Sequence, residues 1–258
     1  MSYQLTEILQ RCDKDDCAFF INSIDSYLNF TDDKGLREMD SMWDGKNIMP
    51  IPLANKIETE IRYLGSNDVA YAYRKAKGEI PPGVELDEMI DDACNVMKFK
   101  VNSTSSIETR LELFCRRMVD KSFFSFDQKK QIEILENSDI SRTDIDKILK
   151  QTKAKTEMFI PVLLGIVGNK SAIKIAKTVI TLTIGKFIGP RAAQAIFTIL
   201  MSKMPWLSAL GPIYLTLLTG WTIIDFAGPS TRKTIPLLLY LGLLCLRNDE
   251  DKEFWSEE

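Results

Sequence analysis

The sequence predicts an all-α protein built in two physically different parts. Three observations carry that expectation. Apolar residues recur at helical spacing through the first 155 positions, and alternating β-branched strand patterns are missing. Capping residues and Gly/Pro stops punctuate that periodicity. Charge then separates along the chain. Residues 1–157 carry 23 Lys/Arg and 29 Asp/Glu, residues 158–247 carry nine basic residues and a single acid, and residues 248–258 carry one Lys and six acids. The fold class expected is therefore an acidic helical domain followed by a basic, apolar, Gly/Pro-interrupted helical-hairpin domain.

Taken in order, Asp13 is a cap for a helix whose apolar face is Cys17, Phe20, Ile21, Ile24 and Leu28. Leu53, Ile57, Ile61 and Leu64 give a second, ended near Gly65. Ser66-Asn67-Asp68 starts a third through Val69, Ala72 and Ala76, stopped by Gly78 and Pro81-Pro82. Leu86, Met89, Ile90, Ala93 and Met97 mark the next. Ser105 with Glu108 reads as a capping box, and Ser125 with Gln128 repeats it. Ser141 to Asp144 opens a further helix through Ile145, Ile148 and Leu149.

The second part consists of apolar runs broken by Gly and Pro. The longest, 204–224, holds 21 residues without a charge, so by length it is a transmembrane candidate. Pro205 and Gly211-Pro212 interrupt it. A buried helical hairpin, conditional membrane contact and a permanent span all stay open. Before it, Lys170, Lys174 and Lys177 fall within a sector of roughly 60° on a helical wheel. Ile173, Ala176, Ile180, Ile184 and Phe187 form the neighbouring broad face. That is the pattern of a basic amphipathic helix for a membrane surface or a partner groove, and equally of a core-facing helix with a lysine edge. Gly185 and Gly189 have the spacing that lets two helix backbones approach closely.

Composition excludes more than it names. The chain has 258 residues, 45% hydrophobic and 27% charged, with a net charge of −3, enough for a core without disulfides or metal. It contains no histidine, which removes Ser-His-Asp and Cys-His catalysis, His-ligated metals and histidine pH switching. The five cysteines lack Cys-x-x-Cys spacing and read as reduced, buried thiols. Residues 1–16 show no basic, then apolar, secretory pattern. No phosphate-binding loop or nucleophile elbow occurs. Acidic doublets such as Asp15-Asp16 and Asp91-Asp92 read as caps or solvated faces. Arg74, Lys75 and Lys77 lie among Tyr71 and Tyr73, an interleaving that binds nucleic acid in basic proteins; in this acidic chain no nucleic-acid partner is expected. No catalytic residue, cofactor or metal is expected.

Asp225 is the only acid in 158–247 and precedes Ala227-Gly228-Pro229. A lone carboxylate among apolar neighbours needs a counter-charge, and Arg232 is the candidate across the turn. The reading is a structural pair, Asp225 with Arg232, fastening a tight corner; a conformational switch is the alternative.

These same residues carry a resemblance. Residues 225–236, with the turn residues Gly228, Pro229 and Pro236, and Cys245-Leu246-Arg247 after them, are similar to the ending of the YaaW family, within the ubiquinol–cytochrome c chaperone superfamily. Ile61 to Gly65, Glu88 to Cys94 and Ile107-Glu108 resemble its earlier helix boundaries, and residues 3–30 resemble a short module often fused in front. The resemblance implies a helical, non-enzymatic protein that works through partners. For some YaaW-like proteins it implies a component of jumbo-phage immunity that senses early infection and recruits an effector.

The expectation is thus a cytoplasmic bacterial protein in anti-phage defence, peripheral to a membrane when engaged. It would sense an anionic membrane, a lipid vesicle or an early infection structure and recruit a partner effector protein, as a monomer or an oligomer. The alternatives are an assembly chaperone for a membrane protein and a pore-forming effector. Residues 1–45 form an N-terminal helical module, 46–155 a partner-binding helical domain, 156–247 the apolar basic domain and 248–258 an acidic tail. Membrane or partner contact is assigned to Lys170, Lys174, Lys177, Ile180, Ile184 and Phe187.

Overall fold

A computed structural model describes residues 4–25, 33–66, 68–80, 82–153, 158–188, 190–203 and 229–248. Among them the fold is entirely helical, with no strand. Twelve helices follow in order: α1 Gln4–Leu9, α2 Lys14–Asp25, α3 Asp33–Met42, α4 Ile51–Leu64, α5 Asp68–Ala76, α6 Leu86–Met97, α7 Ile107–Phe123, α8 Gln128–Glu136, α9 Arg142–Thr152, α10 Phe159–Ile188, α11 Pro190–Lys203 and α12 Pro229–Asn248. The apolar run 204–224, Asp225, Gly228, Gly189 and the tail from 249 lie outside the described residues.

The helix ends follow local chemistry. Asp13 accepts from the backbone N–H of Asp16 at 3.0 Å, and Asp16 accepts from that of Asp13 at 2.9 Å, a reciprocal box that starts α2. Ser141 accepts from Asp144 N–H at 3.1 Å at the head of α9. Two expected boxes shift. Ser106, not Ser105, accepts from Thr109 N–H and opens α7. Asp127, not Ser125, accepts from Lys130 N–H and opens α8. That backbone hydrogen bond, with the nearby lysines, holds the Asp127 carboxyl below the usual carboxylate range.

The chain divides into two compact units. One comprises 1–111 together with 224–245, and the other 112–223 with 246–258. The division differs from that expected of charge, which places all of 156–247 in one domain. The physical reason lies in α12. Every residue from Thr234 to Cys245 is buried, Pro236 included. A helix apolar on all sides belongs at the centre of a core. In the first unit Tyr240 stacks on Phe19 with centroids 3.6 Å apart and meets Phe20 edge-on at 5.4 Å. Its hydroxyl donates to the buried Asp16 carboxylate at 2.8 Å.

In the second unit α10 packs against α8, α9 and α11. Phe123 stacks on Phe159 at 3.9 Å, with Phe124 edge-on to both. Asp120 accepts from Ile160 N–H at 3.2 Å and fastens the first turn of α10. Within α10, Gly168 takes φ 76° and ψ 172°, outside helical space, so the element is two helical pieces joined at a kink.

Candidate functional site

The kink at Gly168 is where the lysine-bearing piece of α10 begins, and the structure separates the three lysines that the wheel brings together. Lys170 is exposed. Lys174 pairs with Asp139 at 2.7 Å, where Asp139 sits in the left-handed region at φ 62°. Lys177 is only 6% exposed. Ile180 and Ile184 are fully buried and Phe187 is half-buried. The broad apolar face is therefore covered by protein, the core-facing form of the two arrangements left open by the pattern.

Lys186 was not singled out by the sequence. It stands on the opposite side of the helix from Lys177, so the angular sector excludes it. Its amine donates to Ser125 Oγ at 3.0 Å and lies 5.8 Å from the Phe126 ring centroid. Burial pushes this amine down to about 8. Because the unfolded chain holds this proton up to about 10.5, stability should rise with pH between 8 and 10.5. Lys186→Met should flatten that rise, as read by urea melts across the window. An amine titration at the ordinary lysine value would remove the basis for it.

Four carboxylates at the start of α6 meet three arginines from three different helices. Arg62 of α4 reaches Glu85 at 2.5 Å and Glu58 at 3.3 Å, and also donates to the Gly83 carbonyl. Arg74 of α5 reaches Glu88 at 3.5 Å. Arg110 of α7 donates to Asp87 and, at 2.6 Å, to Asp91. Gly83 permits the close approach: a Cβ there would lie 2.5 Å from the Arg62 carbonyl carbon. Asp91, read with Asp92 as a cap or solvated face, is half-exposed and is also an ion-pair partner. Asp16, read likewise, does cap α2 and is in addition a buried acceptor for Tyr240. Charge alternation in the sequence signals such pairs only in general, since it does not say which helices meet.

Among the described residues no group of three or more Cys, Asp or Glu is placed to hold a metal. All five cysteines are buried and unbridged. Burial, with Asp91 beside it, pushes the Cys94 thiol up to about 11. Burial, with Asp40, also raises the Cys17 thiol. Thiols held protonated in this way are poor nucleophiles.

The proposed corner pair is placed only in part. Asp225 and Gly228 lie outside the described residues. Pro229 opens α12, and Arg232 is on its first turns, its side chain outside what is described. On α5, Tyr71 meets Tyr63 edge-on at 4.5 Å, while Tyr73 is 60% exposed with the Lys77 amine 4.5 Å from its ring centroid. Arg74, Lys75 and Lys77 therefore do not form one basic face, since Arg74 is committed to Glu88. Met42, Ile48 and Ile51 are also exposed, near the start of α4.

The chain is similar to UPF0174 proteins. One, from Helicobacter pylori strain J99, is 27% identical over 202 residues, covering 78% of this chain and 74% of the relative. Another, from strain 26695 of the same species, is 23% identical over 200 residues, covering 74% of this chain and 87% of the relative. No protein-family model matches the chain, and no solved structure matches it.

Proposed function

We propose that this is a non-enzymatic, cytoplasmic helical binding protein of the YaaW type. It meets an anionic membrane or lipid vesicle surface, peripherally, and recruits a partner effector protein in bacterial anti-phage defence. The observation that carries this reading is the segregation of charge: a basic, apolar block of ninety residues with one acid, inside an acidic chain. Such a block attracts anionic surfaces and acidic proteins. The chaperone alternative shares the same chemistry. In the pore-forming alternative hairpins around Gly211-Pro212, outside the described residues, would insert; among the described residues α10 is 30 residues long and apolar enough to cross a membrane, and Gly168 breaks it.

Flotation with vesicles of phosphatidylserine and phosphatidylcholine tests the reading. Each lysine near an anionic surface contributes about 1 kcal/mol, roughly fivefold in binding. Lys170→Gln should weaken flotation by about that factor, and raised salt should mimic it. Lys177→Gln should instead change the thermal midpoint, because Lys177 is inside the fold. Vesicle leakage would favour the pore. Absence of flotation at low salt would rule out the membrane part of the reading.

A further inference from the structure

We propose that the turn after α5 is the element that enters the lipid layer, with Ile80 as its apolar prong and Tyr73, Lys75 and Lys77 as its headgroup contacts. This rests on the membrane reading above and adds a second point of contact to that of the exposed Lys170 on α10.

The turn is closed by hydrogen bonds. Gly78 takes φ +78°, and a Cβ there would meet nothing within 4 Å, so the glycine serves backbone geometry and not a tight fit. The Glu79 N–H donates to the Arg74 carbonyl at 3.1 Å and the Gly78 N–H to the Lys75 carbonyl at 3.0 Å. Those two bonds are the Schellman closure of a helix C-terminus. At the position where that motif usually makes an apolar contact, Arg74 and Glu79 face each other at 4.0 Å. The next residue, Ile80, is 91% exposed. An isoleucine held out on a hydrogen-bonded turn, with Pro81-Pro82 following in the sequence, is presented at little further loss of chain entropy.

The rest of α5 sorts by side. Tyr71 against Tyr63 and Arg74 against Glu88 hold its inner face. Ala72, Tyr73, Lys75, Ala76 and Lys77 are exposed. Tyr73 presents an apolar ring with a polar end, and the Lys77 amine stands over that ring. Amphipathic aromatics of this kind settle at headgroup depth, where lysines meet anionic phosphates. The acids nearest them, Glu79 and Glu88, are half-exposed and share Arg74 as their counter-charge. A single prong flanked by cations needs no shaped pocket opposite it when the other side is a deformable lipid layer. This favours an anionic bilayer as the occupant over a folded protein groove.

The test uses the full chain on phosphatidylserine/phosphatidylcholine vesicles, with phosphatidylcholine alone as the control. Ile80→Asp should lower flotation by on the order of tenfold. Lys75→Gln with Lys77→Gln should lower it on anionic vesicles and leave the small binding to the control unchanged. Both sites are exposed, so thermal midpoints should match the parent. Ile80→Cys, labelled with an environment-sensitive fluorophore, should shift to the blue when vesicles are added; the native cysteines are buried and spare the label. A parent protein that does not float overturns both the membrane reading and this assignment. A parent that floats equally well with Ile80→Asp, and no blue shift, overturns the assignment alone and turns the tip into a protein-docking surface.

Discussion

Tyr240→Ala should be among the most destabilising single substitutions in the first unit. Two losses coincide there. Removing a fully buried aromatic side chain typically costs about 3–5 kcal/mol through lost transfer energy and the cavity left behind. Here the ring is sandwiched against Phe19 and edged by Phe20, neighbours that α2 holds in place and that have little room to collapse. The substitution also removes the hydroxyl donor to Asp16, a carboxylate that is itself buried. Hydrogen bonds to charged groups contribute about 1.5–3 kcal/mol. Tyr240→Phe separates the terms, because it keeps the stack and removes only the donor. Urea melts should rank the parent above Tyr240→Phe and that above Tyr240→Ala. Hydrogen exchange should show α2 and α12 losing protection together. A loss below about 1 kcal/mol for Tyr240→Ala would mean that α12 is not the centre of this unit. The same geometry has a pH signature. Burial, and the charge of Asp16, raise the phenol well above its ordinary value of 10. The unfolded chain therefore releases that proton first, and stability should fall as pH rises above 10.

The helices were largely legible in the sequence because their causes are local. The apolar faces of α4 and α6 read from spacing alone are buried: Leu53, Ile57, Ile61 and Leu64 in one, Leu86, Met89, Ile90, Ala93 and Met97 in the other. Asp13 and Ser141 cap as expected, each accepting the backbone N–H three residues on. The Ser125 box gave way to Asp127, whose charge favours the helix N-terminus, while Ser106 takes the cap from an identical neighbour, Ser105, a choice that residue type alone does not make.

The candidate site was less legible, because its causes are not local. The contact that places α12 in the first unit joins positions 224 apart in the chain. Charge and apolarity set 156–247 apart, but an all-apolar helix carries no sign of which core will take it. The wheel that groups Lys170, Lys174 and Lys177 is correct as an angle. It does not show that Asp139 reaches Lys174 or that Lys177 faces inward. Exposure was equally hidden. Ile80 beside two prolines reads as loop, and only the closed turn after α5 shows it projecting.

The acids that hold Arg110 should matter more to stability than Arg110 itself. Arg110 is 1% exposed, whereas the Asp87 and Asp91 side chains are 55% and 52% exposed. The two sides of this pair therefore have different fates when separated. Asp87→Ala with Asp91→Ala leaves a guanidinium inside the fold, with its Nε already lacking a hydrogen-bond partner. Leaving a buried charge without its partner costs about 3–5 kcal/mol. Arg110→Met removes the charge and keeps much of the apolar stem, and the half-exposed carboxylates return to water. That change should cost about 1 kcal/mol or less, as expected when a buried ion pair gives way to an apolar side chain of similar volume. Adding Arg110→Met to the two alanines should restore most of the loss, a coupling of about 3 kcal/mol or more. Denaturant melts of the parent, the double variant, Arg110→Met and the triple variant complete the cycle. If Arg110→Met proves as damaging as the double alanine variant, the stem is packed for shape and the ion pairs are incidental. If the triple variant shows no recovery, α6 is held by its apolar face alone and the arginines around its first turns do not fasten it.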